Sequence, residues 1–325
     1  MFKASHLSVQ RRGAVRSVEL LRWNALFAGL REPHLVQSAG YGEAQRVTEG
    51  WRVNRLVVEL GGKEVAICQV LEKRLVGVCV LSRINRGPMF LEENPSADTV
   101  RAVYELLRCR WSYLRGGLLL IAPALRPDEE HHAMLTELGY RRRGVLGWMS
   151  SFILLDQDEE SIRRHLKPSW RNHLRSAEKA GLQLDTSSSC EALEWIAARH
   201  SEHMEAGKFR GPSAAFLRAM HCSGPDDVVV LRAVSEGEHV GGIIVVRFGQ
   251  TAEYFVGWFS GSGRELNAGN FLLWNAVLEM KKRGCRQFDL GGLLLAGGTR
   301  SDAYVHFKRG MRGTEYSLIE EWLAF

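Results

Sequence analysis

Ala252-Glu253-Tyr254-Phe255-Val256-Gly257-Trp258 is followed by Gly269-Asn270-Phe271-Leu272-Leu273-Trp274, then by Phe288-Asp289-Leu290-Gly291-Gly292 and finally by Phe307-Lys308-Arg309-Gly310. The first block has the aromatic and β-branched content of a strand. The second has the apolar spacing of a helix, the third is a short strand that stops at Asp-Gly-Gly, and the fourth holds a lysine among Val305, Phe307 and Met311. Strand, helix, strand and a lysine in an apolar setting suit half of an acyl-transfer site.

Working back from that stretch, strands are expected near residues 228–234, 239–248 and 252–259, preceded by a strand near 151–155 and helices near 158–166, 168–180, 190–206 and 212–222. A helix over 268–283, a strand over 286–290 and a last strand near 314–323 close the chain. The first half repeats this grammar. It opens with a helix over 17–28 capped by Ser17, then strands near 55–60, 64–71 and 75–81, with Gly61-Gly62 as the turn of the first hairpin. A helix over 97–114, a strand over 117–122 and a helix stopped by Gly139 follow. Hairpin strands, a helix and a further strand form the order of the GNAT acyltransferase fold, here met twice. The expected fold class is α+β, with two tandem GNAT-like domains, 1–149 and 150–325, and the final strand, 314–325, available to return to the first.

The 325 residues, 45% hydrophobic and 25% charged, are enough for two buried cores. The longest apolar runs, Val228-Val229-Val230-Leu231 and Ile243-Ile244-Val245-Val246, are strand-length and far short of a membrane span. The start, Met1-Phe2-Lys3-Ala4-Ser5-His6, lacks the apolar core of a secretory signal, so a cytoplasmic location is expected. The six cysteines form no Cys-x-x-Cys pair and read as thiols in a reducing compartment. His200, His203, His221 and Cys222 do not complete a four-ligand set at metal-site spacing, so no metal is expected, nor any cofactor. The net charge of +6 favours polyanionic partners. It is clustered: Arg171, Arg175 and Lys179 recur every four residues along a helix started by Pro168, whose other face carries Trp170, Leu174 and Ala177. That stripe is either a solvated face or a groove for tRNA or precursor phosphates.

Leu35-Val36-Gln37-Ser38, Arg86-Gly87-Pro88, Leu138-Gly139-Tyr140 and the run Trp170 to Gly181, together with the C-terminal blocks, fall in the order of the landmarks of one family. From about residue 30 onward the chain resembles the FemAB-type peptidoglycan bridge aminoacyltransferases, in the short form without a coiled-coil arm. The resemblance implies a double GNAT fold and transfer of an amino acid from aminoacyl-tRNA to the peptide of a UDP- or lipid-linked muropeptide, with peripheral contact at the inner face of the membrane. It also points to Lys308 as the positive group that meets the developing oxyanion. One departure stands out: Gln45 lies where family members often carry a lysine.

Transfer from an activated ester needs a neutral amine held against the carbonyl and a positive group beside the oxyanion. Lys308 is the candidate for the second task. Asp289, ahead of Gly291-Gly292, either accepts a proton from the attacking amine or orders the loop by bonding its N–H groups. Tyr254 and Trp258, expected with Val256 on one strand face, and Arg264 and Asn270 near a helix start are candidate substrate contacts, as is Arg86, whose planar fork suits phosphate or carboxylate. A CoA-dependent GNAT N-acyltransferase is the nearest alternative, although Arg264-Glu265-Leu266-Asn267-Ala268-Gly269 has Asn where a pyrophosphate turn has its first Gly. A non-catalytic nucleic-acid-binding module is the other.

Overall fold

The computed structural model describes residues 13–111, 117–293 and 299–324. The chain forms two compact units: one runs through Trp148 and takes up the chain again from Ser317, and the other is Met149–Tyr316.

In the first unit the order is β1 (Gly13–Ser17), α1 (Leu20–Ala28), α2 (Ala39–Glu49), β2 (Arg52–Leu60), β3 (Lys63–Leu75), β4 (Val78–Asn85), β5 (Met89–Phe90), α3 (Ala97–Arg110), β6 (Leu118–Ala122), α4 (Glu129–Glu137) and β7 (Arg141–Arg142), completed by β15 (Trp322–Ala324). The strands lie in the order β1-β2-β3-β4-β6-β15-β7, with β5 beside β3 and the β4–β6 pair parallel. Ser17 does not cap a helix. It pairs with Leu56 in the sheet, and Val18 extends that ladder by donating to the Arg55 carbonyl at 2.9 Å, so α1 starts only at Leu20.

Helix α2 has no counterpart in the sequence reading because Gly40 and Gly42 weaken its pattern. Gly42 is required there, since a Cβ would lie 2.5 Å from the buried Gln69 amide. That amide belongs to a clamp. Gln69 donates to the Ser38 carbonyl at 3.0 Å, while Gln37 accepts from the Gln69 N–H at 2.7 Å and donates to the Asn85 carbonyl at 2.8 Å. Gly87 leaves room for the Gln37 amide, so two sequence landmarks, Gln37-Ser38 and Arg86-Gly87-Pro88, are one packed feature. A third is also structural: Gly139 turns at φ 83° and the Tyr140 hydroxyl donates to the Tyr104 carbonyl at 2.8 Å.

The second unit runs β8 (Met149–Leu154), α5 (Glu159–His165), α6 (Pro168–Lys179), β9 (Gln183–Ser187), α7 (Cys190–Gly207), α8 (Ala214–Ser223), β10 (Val228–Ser235), β11 (Glu238–Phe248), β12 (Thr251–Phe259), α9 (Gly261–Glu265), α10 (Ala268–Lys282), β13 (Gln287–Asp289), α11 (Thr299–Arg309) and β14 (Thr314–Ser317). Its sheet is ordered β14-β8-β13-β12-β11-β10-β9, and α10 is the crossover that makes β12 and β13 parallel. Helix α10 is buried on most sides, through Phe271, Leu272, Leu273, Trp274, Val277 and Met280, and shares one core with Trp170, Leu174 and Ala177 of α6. Helix α7 lies on the opposite face of the sheet, where Trp195 and Ile196 fill the space that Gly242 leaves.

One expectation fails here. The last strand is not continuous over 314–323: β14 belongs to the second sheet and β15 to the first, with 318–321 carrying the chain between them. Lys308 lies in the last turn of α11, a helix that the sequence reading did not contain.

Candidate active site

A bulge in β12 decides which side chains meet. Val245 pairs with Tyr254 but Ile244 pairs with Val256, so Phe255 is the extra residue and the alternation breaks. Tyr254 therefore joins the α6–α10 core, whereas Trp258 faces α7, its ring centroid 5.7 Å from that of Trp195. The expected shared face of Tyr254, Val256 and Trp258 is thus wrong, and the signal for it, one residue of slip against β11, is invisible in a single strand. Gly257 falls on the Tyr254 side. A Cβ there would lie 2.1 Å from the Tyr254 hydroxyl, so the ring occupies space that only glycine leaves.

Beyond β13 the chain turns sharply. Asp289 Oδ1 accepts the Gly291 N–H at 2.7 Å and the Ser150 hydroxyl, and its Oδ2 accepts the Tyr316 hydroxyl at 2.7 Å. Both carboxylate oxygens are engaged, so Asp289 holds the loop in place. Gly291 takes φ 71°, and a Cβ on it would come within 2.6 Å of the Tyr254 carbonyl and 3.2 Å of the Lys308 amino group. The turn thus presents the Gly292 carbonyl, which accepts from Lys308 Nζ at 3.0 Å.

Lys308 is 1% exposed, among the largest fully buried side chains of the protein. Its Nζ stands 4.2 Å from the centroid of the Tyr304 ring and 5.3 Å from that of Tyr254. Burial pushes its pKa down to about 7, against the opposing pull of the Glu253 and Asp289 carboxylates. Burial likewise pushes the Tyr254 phenol up to about 12, offset in part by its hydrogen bond to Tyr304. The neighbours of Lys308 in sequence explain the Phe-Lys-Arg-Gly pattern. Phe307 packs on Trp170 with ring centroids 6.1 Å apart, Arg309 pairs with Glu315 at 2.8 Å, and Gly310 lets the Trp170 indole approach to where a Cβ would stand 2.3 Å away.

The structure thus brings together Lys308, Asp289 and Tyr254, and adds Ser150, Glu253, Gly292, Tyr304 and Tyr316, which the sequence reading did not single out. Glu253 carried one readable signal, an acid inside an apolar strand; the two tyrosines and Ser150 come from distant segments with no local mark. The other candidates lie elsewhere. Arg264 is exposed on α9, and Asn270 is buried in the first turn of α10 with its Nδ2 unpartnered among the described residues. Arg86 belongs to the first unit, buried with its guanidinium 3.4 Å from the centroid of the Trp148 ring, and it assists burial in holding the His34 pKa down at about 3. On α6, Arg175 and Lys179 are exposed, while the half-buried Arg171 donates to the Arg164 carbonyl at 2.9 Å. None of the three has a carboxylate partner among the described residues. His200 and His203 flank Phe209, and among the described residues no three metal-binding side chains converge.

Residues 164–309 match the family model described as an acetyltransferase (GNAT) domain. Sequence comparison gives no match among curated proteins. Among solved structures the chain is similar to FemX, with 14% identity, a TM-score of 0.78, and 95% of this chain and 96% of that one covered. It is also similar to L-PGS from Bacillus licheniformis, with 14% identity and a TM-score of 0.55 over 95% of this chain and 92% of that one. A tandem GNAT protein from the clavulanic acid biosynthesis pathway gives 14% identity and a TM-score of 0.54 over 96% and 98%. Within the second unit, residues 164–309 accordingly carry a GNAT-type domain fold. The chain as a whole has the FemAB-type double-GNAT fold.

Proposed function

We propose that the chain is an aminoacyltransferase that moves an amino acid from aminoacyl-tRNA to an amine of a UDP- or lipid-linked muropeptide or a related acceptor, working at the cytoplasmic side of the cell. The observation that carries this reading is Lys308: a single ammonium group, enclosed by Tyr254, Tyr304 and a glycine turn, where it meets negative charge with little competition from water. In this reading the acceptor amine attacks the ester carbonyl, and the oxyanion that forms is stabilised by the Lys308 ammonium. Collapse breaks the bond to the ribose oxygen, which leaves as the hydroxyl by taking up the proton that the amine nitrogen gives up, and the amide remains. Asp289 positions the Gly291-Gly292 turn through its hydrogen bonds and takes no proton. The exposed Arg175 and Lys179, with Arg171, supply charge for the phosphates of a polyanionic substrate.

Mass spectrometry of products from charged tRNA and muropeptide tests the reading. An acceptor heavier by one aminoacyl residue, lost on replacement of Lys308 by Met, supports it. Acyl transfer from CoA thioesters with none from charged tRNA would replace it by the CoA-dependent alternative. One observation favours that second reading. Asn267 sits at φ 56°, the left-handed conformation that the missing glycine would have provided, and Asn tolerates it better than most residues. The turn before α10 therefore keeps its backbone despite the substitution.

A further inference from the structure

The turn between β3 and β4 places apolar side chains where no described residue covers them. Leu75 and Val78 pair across a two-residue turn, Val76-Gly77, with φ 49° and 80°. Positive φ at both residues is the type I′ pattern, which prefers Asn-Gly or Gly-Gly because a β-branched side chain is strained there. The same position is Gly61 in the β2–β3 turn and Glu236 in the β10–β11 turn. Here alone among these three hairpins it is apolar. Val76 is 95% exposed, Leu75 67% and Val78 58%, so the turn bears both a conformational cost and an apolar surface with no return inside the fold.

The residues behind the tip form a collar of another character. Lys73 holds its ammonium 4.7 Å from the centroid of the Trp51 ring, Arg74 is exposed, and Arg52 next to Trp51 is exposed too. Glu72 is paired with Arg74 at 3.1 Å and Glu49 accepts from the Trp51 indole at 3.1 Å, so the three cations of the collar outnumber its two carboxylates. At about 3.3 Å per residue, Lys73 stands roughly 10 Å behind Val76. An apolar tip backed at that depth by tryptophan and cations matches the boundary between acyl chains and headgroups, where apolar groups enter about 5–10 Å.

We propose that the β3–β4 hairpin docks the protein on a lipid surface carrying anionic headgroups, with Leu75, Val76 and Val78 entering the acyl boundary and Lys73, Arg74 and Arg52 meeting the headgroups. The charge of the collar selects a lipid surface over an apolar protein groove. The proposal does not rest on the reaction assigned above, because vesicle binding is measured without substrate.

Co-sedimentation of the full chain with phosphatidylcholine vesicles, and with vesicles containing phosphatidylglycerol, tests it. Binding is expected on the anionic vesicles, weakening as salt is raised. The discriminating variant is Val76→Asn, which suits the turn: its melting temperature should hold or rise while vesicle affinity falls about tenfold, one apolar side chain being lost from the boundary. Lys73→Gln with Arg74→Gln should remove the preference for anionic lipid. Equal binding by wild type and Val76→Asn overturns the proposal, as does no sedimentation with either vesicle. A self-association seen by light scattering and abolished by Val76→Asn would also overturn it, making a second copy the occupant of the tip.

Discussion

An ammonium group kept from water, as that of Lys308 is, destabilises the fold that keeps it. Its pKa is about 7 folded and 10.5 as the ordinary value, so between these the unfolded chain holds the extra proton and stability rises with pH. The penalty is complete below about pH 7, on the order of a few kcal/mol. Lys308→Met, which keeps the aliphatic stem, should therefore melt higher than wild type at neutral pH, with the gain fading towards pH 10. Its turnover should fall about 100- to 1000-fold, the usual loss for one oxyanion donor. The Lys308-dependent part of wild-type turnover should decline as pH rises through about 7. A Met variant that melts lower, or that turns over normally, would remove Lys308 from the role. Gly291→Ala asks a second question. With φ 71° and the Tyr254 carbonyl in the way, it should cost about 1–3 kcal/mol in denaturant melts and move the Gly292 carbonyl off Lys308. Lys308 and Asp289 were legible because an ion in an apolar run and an acid before two glycines are local anomalies. Ser150 and Tyr316 were not, since only pairing of β8 with β13 and of β14 with β8 brings them to Asp289.

The elements show where period-based reading holds and where it stops. Helices α6, α7 and α10 and strands β10 to β12 follow their hydrophobic spacing to within a few residues. Within β12, however, a single extra residue at Phe255 turns the same spacing into the wrong face for Trp258, because a bulge is a property of two strands and not of one. Helix α11 was missed for another reason: it buries a lysine and two tyrosine-lined contacts instead of an aliphatic stripe. Helix α6 carries its own test. Charge reversal at Arg175 and Lys179, the two exposed members of the stripe, should raise the apparent KM and flatten the salt dependence of tRNA binding, with melting temperature almost unchanged because exposed charges contribute little to stability. Unaltered kinetics and salt slope would mean that the stripe only faces solvent.

At the scale of the molecule, the doubled order of strands and helices was readable from pattern alone, because each half repeats hairpin, helix and parallel strand. The path of the last strands was not, since a run of alternating residues does not declare which sheet it will enter. Trp322, fully buried in β15 between β6 and β7, gives this a measurable form. Trp322→Ala should cost about 3–5 kcal/mol in the first unit. Hydrogen exchange should quicken in β6 and β3 while the amides of β10 to β12 keep their protection; equal quickening in both units would show that they unfold together. The placement of β15 also orders events in time. Ala122 leaves the ribosome about 200 residues before Trp322, which at 5–20 residues per second is roughly 10–40 s. The unit that is begun first therefore waits for the second: during synthesis its β6 edge stays open, a free strand border for a chaperone or a neighbouring nascent chain, until β15 has been made.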